Sequence, residues 1–203
     1  MNNCIFSAHC LEQMCDRSCP AFVETSYLLE RNNIPMNSSV FYESQNNIDK
    51  MNSVLDKSSE SLGICIVSNP SDSNRFSDLL TYCAICRNWK GSQLHCNVYN
   101  LRYSKFLEAT KQSWGKYRSD EDLEYMRIWS DYCKILVVSN IEYVNFGDFE
   151  SQTLLNIIQS RLSGNKTTII VSPPLQNLVS NKGSLFFNAL KGRLSEAIRR
   201  MSE

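Results

Sequence analysis

Gly63-Ile64-Cys65-Ile66-Val67 runs directly into Ser68-Asn69-Pro70-Ser71-Asp72-Ser73-Asn74-Arg75, and a helical pattern follows. The first five residues form a short continuous apolar run, which predicts a buried strand. The next eight are rich in Ser, Asn, Pro and Asp, residues that favour turns because they bond to their own backbone or fix φ. From Phe76 to Trp89 the apolar residues Phe76, Leu79, Leu80, Cys83, Ile85 and Cys86 recur at helical spacing. The stretch therefore predicts strand, turn and helix in immediate succession.

The same alternation continues downstream. Leu94 to Leu101 predicts a strand, and Lys105–Gln112 and Glu121–Tyr132 predict helices. Lys134-Ile135-Leu136-Val137-Val138 is a second fully apolar strand. Phe149 to Leu162 predicts a helix closed by Gly164, a residue suited to the end of a helix. Thr167-Thr168-Ile169-Ile170-Val171 is a third buried strand, broken by Pro173-Pro174, and a last helix spans about Leu185 to Arg200. Continuous apolar strands separated by helices imply an α/β fold, a parallel sheet with helices on both faces. No internal repeat is visible.

Upstream of Leu62 the composition differs. Residues 1–35 read as a cysteine-rich module followed by a helix with Phe22, Val23, Tyr27 and Leu28 on one face, stopped by Pro35. Residues 36–61 are polar, rich in Asn and Ser, and read as a linker with one short amphipathic helix at about 47–57. Residues 62–203 form the α/β domain.

The chain has 203 residues, 42% apolar and 21% charged, with no net charge. That profile fits a soluble globular protein and excludes a global basic field for nucleic acid. The longest apolar runs are strand-length, so no membrane span is expected. The N-terminal residues lack a basic segment followed by an apolar one, which argues against a signal peptide and for a cytoplasmic location.

The turn and the strand ends carry a resemblance. The order of elements over roughly residues 62–200 is similar to the AAA+ core of helicase loaders of the DnaC/DnaI type. In that family a P-loop follows the first strand, with glycines that let backbone N–H groups wrap phosphate and a Lys-Ser/Thr pair for charge and magnesium. Here the corresponding residues Ser68, Ser71, Ser73, Asn74 and Arg75 include no glycine and no lysine; Pro70 removes a donor and Asp72 adds a negative charge. The second strand of the family ends in acidic residues that organise magnesium and water. Ser139 and Asn140 stand there, with Glu142 two positions late. The third strand ends in a polar sensor, which Ser172 matches, followed by Pro173. Arg193, Arg199 and Arg200 lie in a helix comparable to the one that carries the family's inter-subunit arginines, Arg193 matching best. The resemblance thus implies a degenerate, pseudo-ATPase member, a replication accessory of a phage or mobile element whose partner is a replicative helicase or an active ATPase subunit, and to which nucleotide is not expected to bind. A generic αβα sandwich without P-loop ancestry is the rival fold.

Nine cysteines are present, and Cys4, Cys10, Cys15 and Cys19 cluster with five, four and three residues between them. Four thiolates this close can reach one tetrahedral zinc, with His9 as an alternative to Cys10. A segment too short for its own core gains stability from a metal. An iron–sulfur cluster uses four cysteines as well, and a segment that binds no metal is the third reading. Some helicase loaders carry a zinc-bearing N-terminal module that touches the helicase, which favours zinc by resemblance. The Cys83-x2-Cys86 pair, Cys65, Cys96 and Cys133 lie in apolar stretches and read as core.

Lys105, Lys111, Trp114, Lys116, Tyr117 and Arg118 interleave cations with aromatics, a pattern that can contact single-stranded DNA by charge and stacking, although an ordinary exposed helix and loop is the preferred reading. Lys182 and Lys191 join the three arginines in a second basic concentration, which also suits a helix C-terminus. Two rival functions remain open at this level: a zinc-containing adaptor or regulator with no replication role, and an enzyme on a Rossmann-like fold with a site of another kind. No Gly-rich fingerprint, nucleophile elbow or paired-carboxylate motif supports the latter.

Overall fold

The computed structural model describes residues 20–35, 38–88, 97–114, 121–174 and 185–202. They form seven helices and four strands: α1 (Pro20–Arg31), α2 (Gln45–Lys57), β1 (Leu62–Ile66), α3 (Ser73–Asn88), β2 (Val98–Arg102), α4 (Tyr103–Gln112), α5 (Glu121–Tyr132), β3 (Ile135–Ser139), α6 (Asp148–Ser163), β4 (Thr167–Ser172) and α7 (Leu185–Ser202). The strands pair in parallel, in the order β1-β4-β3-β2. The α/β class and the parallel sheet expected from the sequence are both present.

Period-two alternation sorts the strand side chains onto two faces. Cys65, Val67, Val137, Ile169 and Val171 join Leu79, Leu80 and Ala84 of α3 on one face. Ile64, Leu136, Val138 and Ile170 join Leu107 of α4, Leu123 of α5, Leu154 and Ile158 of α6 and Leu190 and Leu194 of α7 on the other. β1, β3 and β4 are covered on both sides, which is why each carries a continuous apolar run, whereas β2 at the edge includes Asn100 and Arg102.

Packing crosses the boundary drawn at residue 61. Leu28, Leu29 and Ile34, Val40 and then Met51 and Leu55 of α2 belong to the same core as α3 and the sheet. The helix expected at 47–57 is α2, capped by Ser44, whose hydroxyl accepts from the Asn47 N–H. Its apolar stripe is sparse, so the sequence reads as a linker; tertiary packing recruits it.

The chain crosses from β1 to the far edge at β2 by way of α3, then returns through β3 and β4. The reversal of direction coincides with a change of face, because parallel crossovers are right-handed. Connections from β1 and from its neighbour β4 therefore lead to opposite faces. That reversal point is where open α/β sheets form a crevice beyond their carboxyl ends.

Candidate functional site

The crevice is built from three adjacent strand ends. β1 supplies Ser68–Arg75, β4 supplies Ser172, and β3 supplies Ser139 and Asn140. The topology thus brings together all three elements singled out in the sequence. What each does there differs from a nucleotide site.

The turn after β1 consumes its own donors. Val67 N–H bonds to the Ser172 carbonyl at 2.8 Å. Asn69 Oδ1 accepts from Ser71 N–H at 3.2 Å, and the Asn69 carbonyl accepts from Asp72 N–H at 3.0 Å. Ser73 N–H donates to the Pro70 carbonyl, and Pro70 has no N–H. In a P-loop these groups would point at phosphate. Here none from Pro70 to Ser73 is open. The Asn69 cap and the 3-10 turn also explain why α3 starts at Ser73, three residues before the expected Phe76.

Arg75, the one cation of the turn, is engaged elsewhere. Its Nε and Nη2 donate to both oxygens of Glu43 at 2.8 and 2.7 Å. Burial alone would raise the Glu43 carboxyl, but hydrogen bonds from Asn47 and Arg75 outweigh it and hold it below its ordinary range. Arg75 thus ties α3 to the segment before α2.

Several polar side-chain oxygens near these strand ends have no partner among the described residues. Ser73 Oγ, Asn74 Oδ1, Asn140 Oδ1 and both Glu142 oxygens are buried without a hydrogen-bond partner. Asn140 holds a left-handed conformation (φ 62°, ψ 29°), which turns the chain sharply at the end of β3. The Glu142 carboxylate disfavours an anion, and the backbone N–H groups of the Pro70–Ser73 turn are consumed within the turn, so the residues present do not fit a nucleotide phosphate. Ser172 Oγ donates to the Pro173 carbonyl at 2.6 Å and is likewise occupied.

Behind the crevice lies a polar relay that the sequence reading missed. Ser139 Oγ donates to Asn100 Oδ1 at 2.9 Å, and Asn100 Nδ2 reaches Asp78 Oδ1 at 3.4 Å. Asn100 N–H donates to Asn32 Oδ1 at 2.8 Å, joining α1 to β2. Arg102 lies 3.7 Å from Asp78 and donates to the Asn33 carbonyl at 3.1 Å. Burial pushes the Asp78 carboxyl up to about 6, with Arg102 opposing the shift. The available signal was a polar residue next to apolar ones, Asp78 directly before Leu79-Leu80 and Asn100 between Tyr99 and Leu101.

The DNA candidates divide. Lys105 is exposed and borders a cavity of about 760 Å³ between α1, α4 and α5. The same cavity takes Glu30, Glu108 and Asp122, so its charge is mixed. Lys111 donates to Glu150 at 2.6 Å, and Glu150 also accepts from Gly147 N–H, capping α6. Trp114 is 60% exposed and meets Phe149 edge-to-face at 5.0 Å. Lys116, Tyr117 and Arg118 lie outside the described residues, as do Lys182 and the proposed metal ligands Cys4, His9, Cys10, Cys15 and Cys19. Arg193 approaches Glu196 at 4.0 Å on α7; Lys191 and Arg199 are exposed, and the Arg200 side chain is not among those described.

Among the described residues no group of three or more His, Cys, Asp or Glu is placed to hold a metal. Cys65, Cys83 and Cys133 are buried free thiols, as expected of core positions, and burial pushes Cys65 up to about 11 and Cys83 up to about 12. Cys86 departs from the expectation: it is exposed, because the helix turns it away from the face that buries Cys83. Cys96 lies outside the described residues. No helix among the described residues is long and apolar enough to cross a membrane. Neither a protein-family model nor a curated protein matches the chain.

Proposed function

We propose that the chain is a non-hydrolysing relative of the DnaC/DnaI-type helicase loaders, a replication accessory that binds a replicative helicase or an active ATPase subunit. The observation that supports this most is the convergence of three strand ends in one crevice, with each catalytic element replaced. The strand order also separates the chain from two common doubly wound sheets. The Rossmann order 3-2-1-4-5-6 and the flavodoxin order 2-1-3-4-5 both place the first two strands side by side. Here they occupy opposite edges. On this reading the α/β domain is a binding platform, and the Cys4, Cys10, Cys15 and Cys19 module, with His9 in reserve, holds zinc and meets the partner.

Three measurements test the proposal. The purified chain is expected to retain a replicative helicase in a pull-down and to show no magnesium-dependent ATP hydrolysis. Robust hydrolysis that is lost in Arg75→Ala overturns the pseudo-ATPase reading, and absence of helicase binding favours an adaptor with another partner. Elemental analysis is expected to find zinc near one atom per chain; iron with visible colour would replace zinc by an iron–sulfur cluster.

A further inference from the structure

The end of α1 lies against the outer edge of β2. Asn32 Oδ1 accepts the Asn100 N–H at 2.8 Å, and Arg31 Nη2 donates to the Val98 carbonyl at 3.3 Å. Capping of this kind keeps an edge strand from pairing with other chains. The same Arg31 joins α1 to α5: its guanidinium stands 4.2 Å from the Trp129 ring centre and 5.9 Å from that of Tyr27. Tyr99 of β2 completes the cluster, its ring 6.4 Å from Tyr125 and 6.3 Å from Trp129. Tyr99 is buried and Trp129 half-buried, but the outer members of the cluster face solvent.

Of nine large hydrophobic side chains that stand exposed among the described residues, five are on these two helices, so exposed apolar area concentrates there. They are Val23 and Tyr27 on α1 and Tyr125, Ile128 and Tyr132 on α5. Val23 and Tyr27 are four positions apart, and the α5 residues recur at three and four, so each set forms a stripe along its helix. Single exposed apolar residues are ordinary on a protein surface; a cluster of aromatic ones marks a contact surface. The cavity of about 760 Å³ between α1, α4 and α5 has both Tyr27 and Tyr125 on its wall, so the stripes flank a trough. Charge around the trough is uneven. Glu30 on α1 and Glu121 and Glu124 on α5 are exposed and form no ion pair among the described residues. Glu124 lies one turn before Ile128, and Arg127 is the only cation of α5. Lys105 lines the cavity from α4, together with Glu108.

We propose that the trough between α1 and α5 docks an amphipathic helix of a partner protein, apolar on the seated face and flanked by Lys or Arg. Two stripes at helical spacing on either side of a trough accept the side-chain ridge of a third helix. Aromatic residues such as Tyr27, Tyr125 and Tyr132 are the type that anchors such contacts. Basic flanks of the incoming helix meet Glu30, Glu121 and Glu124, which complement them in charge. The same glutamates disfavour other occupants. A second copy of this chain, paired face to face, would set acidic rim against acidic rim. Anionic lipid and nucleic acid are drawn by Lys and Arg, not by carboxylates. Failure of a helicase pull-down leaves this docking site untouched, because it rests on the exposed stripes and their charges alone.

The probe is a capped, helix-forming peptide of eighteen residues, with a leucine stripe flanked by arginine, titrated into the 15N-labelled full chain. A twin with glutamate in place of arginine is the control. Saturable binding of the arginine peptide is expected, with amide shifts concentrated at Tyr27, Tyr125, Ile128 and Tyr132, and the twin is expected to bind at least tenfold more weakly. Ile128→Gln and Tyr132→Gln are each expected to weaken binding at least tenfold while the melting transition stays in place, because both side chains are exposed. Glu30→Lys with Glu124→Lys is expected to reverse the preference between the two peptides. Four results overturn the proposal: no saturable binding by the wild-type chain, undiminished binding by both glutamine variants, equal affinity for the two peptides, or Tyr27 and Tyr132 already protected from tyrosine-directed labelling in the free chain. The third would mean apolar adhesion without charge recognition, and the last that the chain or a second copy covers the trough.

Discussion

Asp78 is 7% exposed between α3 and β2, hydrogen-bonded to Asn100 and 3.7 Å from Arg102. Its carboxyl titrates at about 6 in the fold against 3.8 ordinarily. The native state therefore binds a proton over a range in which the unfolded chain has lost it. Stability falls as pH rises from about 4 to about 6, by ~3 kcal/mol at most from this group, and is level above. Urea unfolding across that range is expected to show the slope in the wild type and to lose most of it in Asp78→Asn. Arg161 is the other decisive single residue. It is 1% exposed, and its guanidinium donates to the carbonyls of Ser130, Cys133, Lys134 and Thr167 and to Thr168 Oγ1. These acceptors come from the end of α5 and the approaches to β3 and β4, so one planar fork ties three elements together. Burial opposes its charge, while the neighbouring carbonyls, the end of α5 and the Asp131 carboxylate stabilise it. Arg161→Met is expected to cost about 3 kcal/mol or more by leaving several carbonyls unsatisfied. Arg161→Lys should recover only part of that, because an ammonium lacks the fork; thermal melts of both variants check the ranking.

At the scale of elements, the seating of α2 on β1 depends on one glycine. A Cβ at Gly63 would stand 1.8 Å from Ser58 Oγ and 2.5 Å from Ser58 Cβ. Ser58 is fully buried, and its hydroxyl donates to the Val54 carbonyl at 2.6 Å at the end of α2. Gly63→Ala is expected to destabilise by about 1–3 kcal/mol through this overlap. Gly63→Ala with Ser58→Gly removes both clashing atoms, and its melting temperature should lie above that of the single variant. The closed edge at β2 makes a separate prediction. Asn32→Ala leaves the Asn100 N–H without its acceptor in a buried setting, at a cost of about 1–3 kcal/mol. Hydrogen exchange at the Asn100 amide should accelerate more than at Leu136 in the sheet interior. Equal acceleration at both sites would show that the cap acts on global stability alone.

For the whole molecule, the two cores on either side of the sheet are not equally self-sufficient. The α4–α7 face draws all its helices from residues after Leu62. The α3 face needs Leu28, Leu29 and Ile34 from α1 and its end, and Met51 and Leu55 from α2. Removing residues before Leu62 would expose Cys65, Val67 and the flank of α3 and uncover the β2 edge. A chain beginning at Leu62 is therefore expected to lose cooperative unfolding and near-ultraviolet circular dichroism, whereas the full chain keeps both. A truncated chain with a sharp melting transition would show that the α/β part folds alone and that α1 and α2 are accessory.

Buried strands announce themselves as apolar runs because both faces of a parallel sheet are covered, so Ile64–Val67, Ile135–Val138 and Ile169–Val171 were legible residue by residue. The residues at the strand ends, Ser68–Arg75 and Ser139-Asn140, were legible for the same reason, since each stretch directly follows such a run. Local sequence cannot encode distant partners. That Glu43 takes up Arg75, that Asn32 closes the β2 edge, and that Asp78, Asn100 and Ser139 form one relay depend on contacts spanning 22 to 68 positions. The pattern of α2 read as a linker because its few apolar residues are meaningful only opposite β1 and α3. Sequence thus determined the strands and the residues at their ends; tertiary packing decided which distant side chains meet, as where Asn32 seals the β2 edge, because those contacts join segments far apart in the chain.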